Sequence, residues 1–183
     1  NFWVSLLTQK TLSNKISFKG IGIHTGVSVN LNILPALPNT GIIFKRVDLK
    51  SNNIVYPNYL NVSDTTLCTT ISNEFGTKVS TIEHLMGALY GMGVDNAIIE
   101  LDAQEVPIMD GSAKTFVDSI NNAGLKFSDQ PIKIIKINKK INITDGDKFI
   151  SAEKSNVTGE IEFEIKYDNK LISNQRNKIN IFE

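Results

Sequence analysis

Apolar residues alternate with polar ones without a break through Val27, Val29, Leu31 and Ile33, with Ser28, Asn30 and Asn32 between them. A period of two puts each set on its own face, so this stretch predicts a half-buried β-strand. Lys15 to Ile23 reads as a second strand, and with the turn His24-Thr25-Gly26 between them the two predict a β-hairpin. Pro35, Pro38 and Asn39-Thr40-Gly41 mark a loop, after which Ile42 to Val47 is a further strand. Asn52 to Ser63, with Pro57 inside it, predicts irregular or edge structure. Thr65 to Ser72 predicts a strand carrying Cys68, and Asn73 to Thr77 a turn.

From Val79 to Gly93 the period changes. Ile82, Leu85, Met86 and Leu89 recur at helical spacing, Ser80 and Glu83 stand as in a capping box, and Gly91 and Gly93 are helix-ending residues. The stretch predicts a short amphipathic helix with Glu83 and His84 in its first turn. Asn96 to Leu101 predicts a well-buried strand, followed by a loop from Asp102 to Gly111. Ser112 then caps a second helix, with Phe116, Val117 and Ile120 on one face and Gly124 closing it. These elements make a complete α+β unit.

Ser128-Asp129-Gln130-Pro131 reads as a linker, which divides the chain into domains at 1–126 and 127–183. Beyond it, Ile132 to Ile143, Phe149 to Ala152 and Ile161 to Tyr167 predict strands, with turns at Asp145-Gly146-Asp147 and Asn156 to Gly159. In the last strand Ile161, Phe163, Ile165 and Tyr167 alternate with Glu162, Glu164 and Lys166. That apolar face needs a cover, and no helix pattern follows to supply one. The first domain, a partner or a missing C-terminal segment would do so; left bare, the face favours self-association.

Composition removes several classes of function. The 41% hydrophobic content is that of a folded globular chain with neither disorder nor a membrane span. With 19 basic and 19 acidic residues the net charge is zero, so no global field draws the chain to nucleic acid. The single cysteine, Cys68, excludes an internal disulfide and a structural zinc knuckle, and fits a reducing compartment. Asn1 to Leu7 is apolar but short and lacks a preceding basic segment, so no export signal is read.

The Glu83-His84 pair has two readings. His84 as a metal ligand with Glu83 as general base would be part of a hydrolytic site. A capping acid beside a satisfied histidine is the plainer alternative, and Ser-x-x-Glu starts are common enough to favour it from these residues alone. The glycine-rich run Gly20 to Gly26 joins two strands rather than a strand and a helix, which argues against a phosphate loop; His24 at its tip is a candidate binding residue. Asp110 stands directly before a helix, where Asp-Gly-Ser is ordinary turn chemistry. Lys148 reads by default as a solvated hairpin lysine and Phe163 as core.

Four stretches change this balance together: Gln9-Lys10-Thr11-Leu12 with Gly20 to Gly26, Asp64-Thr65-Thr66-Leu67-Cys68-Thr69, Val79 to Leu85, and Val106 to Ala113. In order and spacing they resemble the zinc-dependent UDP-3-O-acyl-N-acetylglucosamine deacetylases of lipid A synthesis in Gram-negative bacteria. The resemblance implies two-layer sheet-and-helix α+β domains, duplicated in the full-length family, with the first complete here and the second truncated and mostly strands. It implies that His84 binds catalytic zinc, that Glu83 is the general base, and that His24 and Asp110 support catalysis. Leu67 and Cys68 would line the approach, Lys148 contact the diphosphate and Phe163 stack on the uracil of an acylated UDP-amino sugar. A cytoplasmic location follows from the same resemblance. Family members run well beyond this length and carry their other zinc ligands in a later His-Lys-x-x-Asp motif, whereas the histidines here are His24 and His84. The chain alone is therefore expected to turn over little. A non-catalytic nucleotide-sugar-binding or interaction module with the same first-domain fold is the rival expectation.

Overall fold

A computed structural model describes residues 8–155, 159–169 and 171–180. The apolar start at Asn1 to Leu7 and most of the turn expected at Asn156 to Gly159 lie outside those residues. The chain divides into two compact units, one ending at Ile132 and the other beginning at Lys133.

The first unit is built on a five-stranded sheet whose strands are β2 (Ile16–Ile21), β3 (Ser28–Pro35), β4 (Ile42–Arg46), β5 (Ile54–Val55) and β9 (Ala97–Leu101), in the order β2-β3-β9-β4-β5. The β2–β3 hairpin forms as its alternation predicts, with Ile21 opposite Ser28. Val29, Leu31 and Ile33 are fully buried, while Ser28, Asn30 and Asn32 face out. β9 lies at the centre, antiparallel to β3 and parallel to β4, which is why Ala97, Ile99 and Leu101 are fully buried.

Two helices, α1 (Glu83–Gly91) and α2 (Lys114–Ala123), bury Leu85, Ala88, Leu89, Phe116 and Ile120 in the same core as the inward residues of the sheet. Phe116 of α2 meets Phe18 of β2 edge to face, centroids 5.0 Å apart. The result is a two-layer sheet-and-helix α+β unit. No helix among the described residues is long and apolar enough to cross a membrane.

Several boundaries differ from the expectations. The helix begins at Glu83 rather than Val79: Lys78–Val79 is β8, paired with β7 (Thr70–Ser72), and β7 pairs with β6 (Val62–Asp64). Cys68 lies outside β7 because Asp64 Oδ1 accepts from the Thr66 N–H at 2.9 Å and its hydroxyl at 2.7 Å, which turns the chain away from the ladder. Gly93, at φ 69°, makes the left-handed exit of α1, while Gly91 remains helical.

Ser128-Asp129-Gln130-Pro131 is not a linker. It belongs to β10 (Leu125–Pro131), which pairs with β1 (Thr8–Leu12) and ties both ends of the first unit together. Gln9 secures that seam. It is 6% exposed, its Oε1 accepts from Asn39 N–H at 2.7 Å and Asn96 Nδ2 at 3.0 Å, and its Nε2 donates to Asn39 Oδ1 and the Pro131 carbonyl.

The second unit holds two antiparallel hairpins. In one, β11 (Ile141–Asp145) pairs with β12 (Lys148–Ala152) across Gly146-Asp147, with Gly146 at φ 60° as a two-residue turn requires. In the other, β13 (Glu160–Lys166) pairs with β14 (Asn174–Asn180). Residues 132–140, expected to extend the first strand, pair with no strand among the described residues, and Ile135 is 92% exposed. β14 carries little apolar signal; Arg176 and Lys178 form ion pairs with Glu162 and Glu160 of β13. Phe163, expected in a core, is 51% exposed, and Ile161, Ile165 and Tyr167 are nearly as open.

Candidate active site

The predicted capping box does not form. The residue before α1 is Ile82, in helical conformation and without a side-chain cap, while Ser80 is drawn into a parallel bridge with Glu105. Its N–H donates to the Gln104 carbonyl at 3.0 Å and its carbonyl accepts from Val106 N–H at 3.1 Å. Between that bridge and the helix the chain turns sharply at Thr81, which holds φ 58° despite its β-branched side chain.

Glu83 is thereby freed from capping and becomes the first residue of α1, where the unpaired N–H groups favour a carboxylate. It is exposed, and both its oxygens stand 3.3 Å from the Thr69 N–H, next to Cys68. His84 follows, half-buried. The structure therefore brings the Leu67-Cys68-Thr69 segment against the Glu83 carboxylate, with Leu67 79% exposed and Cys68 half-buried.

His24 lies on the β2–β3 loop, where Gly26 N–H closes onto the Gly22 carbonyl at 2.9 Å. Its side chain is exposed, and its backbone N–H donates to both oxygens of Glu105 at 3.0 and 3.2 Å. Glu105 stands in no motif of the sequence, yet it is the charged residue at the centre of these contacts. It is 1% exposed and also accepts from Thr25 N–H at 2.8 Å, Thr25 Oγ1 at 2.7 Å and Thr81 Oγ1 at 2.8 Å. Burial by itself would raise its pKa, but the bonds from His24, Thr25 and Thr81 outweigh that and hold it below the usual 4.5. The only sequence signal was a glutamate set against the apolar run Val106-Pro107-Ile108.

Asp110 follows in the same segment, between Met109 at φ 54° and Gly111 at φ 81°. It is exposed, and the Ser112 N–H, then the Ser112 hydroxyl, hold its carboxyl below the usual 3.8. Ser112 Oγ in turn accepts from Lys114 N–H at 3.1 Å, so it serves the start of α2 although Ala113 occupies the capping position. The segment is fastened to the His24 loop by Ile108 N–H donating to the Ile21 carbonyl at 3.1 Å, and Pro107 packs against Gly20 where a Cβ would stand only 2.8 Å away.

Gly20 to Gly26, Asp64 to Thr69, Val79 to Leu85 and the segment from Glu105 to Ala113 thus converge in the first unit, and they carry most of the resemblance to the deacetylases. Gln9 to Leu12, which also carries it, is bonded instead at the β1 seam to Asn39, Asp95, Asn96 and Pro131. Compared with known proteins, residues 9–183 match the family model of UDP-3-O-acyl N-acetylglycosamine deacetylase. The chain belongs to this family. It is 43% identical over 171 residues to the UDP-3-O-acyl-N-acetylglucosamine deacetylase of Cellvibrio japonicus, covering 93% of this chain and 56% of that protein. To the deacetylase of the same name from Actinobacillus succinogenes it is 45% identical over 144 residues, covering 79% of this chain and 47% of the relative. For the Vibrio cholerae serotype O1 deacetylase the identity is 43% over 168 residues, covering 91% and 54%. The chain thus spans about half the length of these relatives.

Lys148, at the start of β12, and Phe163, in β13, are the candidate residues of the second unit; both are exposed. The zinc that the family resemblance implies does not find a full ligand set here. Among the described residues no group of three or more His, Cys, Asp or Glu side chains is placed to hold a metal ion. A catalytic zinc takes three protein ligands, and the Glu83-His84 pair offers a single histidine.

Proposed function

We propose that the protein hydrolyses the N-acetyl group of a UDP-3-O-acyl-N-acetylglucosamine in lipid A biosynthesis, releasing acetate and the free amine. The observation that carries this reading is the exposed Glu83 carboxylate beside His84 at the start of α1, in a chain of the deacetylase family. Water oxygen bonds to the acetamide carbonyl carbon, the carbon–nitrogen bond breaks, and the departing nitrogen gains a proton. Glu83 is the base that takes the proton from the water, a role suited to an open carboxylate at the positive end of a helix. His24 and Asp110 support the reaction, and Leu67 and Cys68 line the approach.

Lys148 contacts the diphosphate and Phe163 stacks on the uracil. Zinc belongs to the same proposal, with His84 as its ligand from this chain and the family's other two ligands, in a His-Lys-x-x-Asp motif, absent from these 183 residues. The 183-residue chain assayed alone accordingly turns over little. Cytoplasmic location completes the reading.

The test is acetate release from UDP-3-O-acyl-N-acetylglucosamine by the full-length protein, with and without a chelator, for wild type and Glu83→Gln. Loss of a general base lowers kcat by about 10²–10⁴-fold, and Tm should hold because Glu83 is exposed. Activity indifferent to both chelation and Glu83→Gln overturns the proposal.

A further inference from the structure

The mechanism above makes no use of the most completely buried carboxylate of the first unit. Glu105 stands among donors that come from two separate segments: His24 and Thr25 from the β2–β3 loop, and Thr81 from the turn before α1. Each of its oxygens is engaged by both kinds of partner or by more than one group. Oε1 accepts from His24 N–H and Thr81 Oγ1, and Oε2 from Thr25 N–H, Thr25 Oγ1 and, more distantly, His24 N–H.

We propose that Glu105 is a positioning residue that sets His24 and the Glu83-His84 pair at a fixed separation, by binding the loop of the first and the turn of the second with one carboxylate. The proposal rests on the deacetylase reading of Glu83 and His84. Three physical points carry it. A buried carboxylate is costly unless its oxygens are satisfied, so the loop and the turn must both be in place for Glu105 to be accommodated. An apolar side chain would fill the space at less cost, which leaves geometry rather than packing as what the carboxylate supplies. Finally, Thr81 is held at φ 58°, a conformation a β-branched residue keeps only when its surroundings impose it, and its hydroxyl bond to Glu105 is one of those constraints.

The surroundings agree. Gly22 has no Cβ where one would overlap the Glu105 carboxylate, and Glu105's own backbone is bridged to Ser80, one residue before Thr81. Asp110 lies downstream in the same segment, which Ile108 fastens to β2. The Glu105 carboxylate, the two backbone bonds of the Ser80 bridge and the Ile108 bond thereby tie the segments of His24, Glu83-His84 and Asp110 together.

Thr81→Val tests this with little change of shape, since it removes the hydroxyl and keeps the branching; Thr81→Ser restores the hydroxyl. In the full-length protein, assayed for acetate release, Thr81→Val should lower kcat about tenfold or more, as misplacement of reacting groups does, with KM within about twofold of wild type. Thr81→Ser should recover most of the loss. Should Thr81→Val fail to fold, Thr25→Val removes the hydroxyl bond to Oε2 at an exposed residue, leaving the His24 and Thr25 N–H bonds in place, and should lower kcat in the same direction. Wild-type kcat in a folded Thr81→Val, or in Thr25→Val where that variant carries the test, overturns the positioning role. So does a loss that Thr81→Ser fails to recover. Glu83→Gln run alongside separates the two readings: if it retains wild-type activity, or wild type releases no acetate, the deacetylase reading itself has failed and the proposal falls with it.

Discussion

Gly22 and Glu105 are packed so closely that a Cβ on Gly22 would overlap the Glu105 carboxylate, standing 2.8 Å from its Cδ and 2.5 Å from Thr25 Oγ1. Gly22 is needed for this approach rather than for an unusual φ. Gly22→Ala should therefore destabilise the fold by about 1–3 kcal/mol, as overpacking does, because Glu105 is buried and bonded and cannot swing aside. Urea unfolding would show it. Gly26→Ala provides a contrast, since a Cβ there meets nothing within 4 Å and acts only through its φ of 67°.

Glu105 also makes stability depend on pH. Its native pKa lies below the usual 4.5, so its stabilising contribution is fully present above that value and is lost as pH falls through the native one. Asp48, held down chiefly by its hydrogen bond from Arg46, acts in the same direction. Urea midpoints should fall as pH drops below about 4.5, and the fall should be shallower in Glu105→Gln, which has no charge to lose there. Equal slopes for the two proteins would remove Glu105 from the acid response.

Phe116 joins α2 to the sheet through its edge-to-face contact with Phe18, and it is 1% exposed. Phe116→Ala should cost about 3–5 kcal/mol, because the cavity lies between two layers that cannot both collapse into it. Thermal unfolding would read the loss directly. Phe163→Ala in β13 should leave Tm nearly unchanged, since that ring is 51% exposed within its own unit.

The same Phe163→Ala variant examines the proposed uracil contact. In the full-length protein it should raise KM for the UDP-sugar several-fold with kcat little altered, in line with about 1–3 kcal/mol for base stacking on an aromatic ring. Lys148→Ala should raise KM as well, and more at low salt, where an exposed charge is least screened. An unchanged KM in both variants would detach the second unit from substrate recognition.

The alternation in β3, the apolar run of β9 and the helical spacing of Leu85 and Leu89 were enough to determine the strands and helices of an α+β unit, because burial period is written residue by residue along a strand or helix. The four stretches that carry the family likeness were equally plain in the chain. Tertiary structure decided the rest. Ser80 looked like a cap, yet its backbone is claimed by the bridge to Glu105, so α1 starts later and Glu83 is left open. Ser128 to Pro131 looked like a linker, yet β1 supplies a partner for it. Glu105 looked like a loop acid, and its bonds come from His24, Thr25 and Thr81, residues far away in sequence. Such partners leave no periodic trace: a hydrogen bond between distant segments depends on where the fold brings them, and only the folded chain shows which donor meets which acceptor.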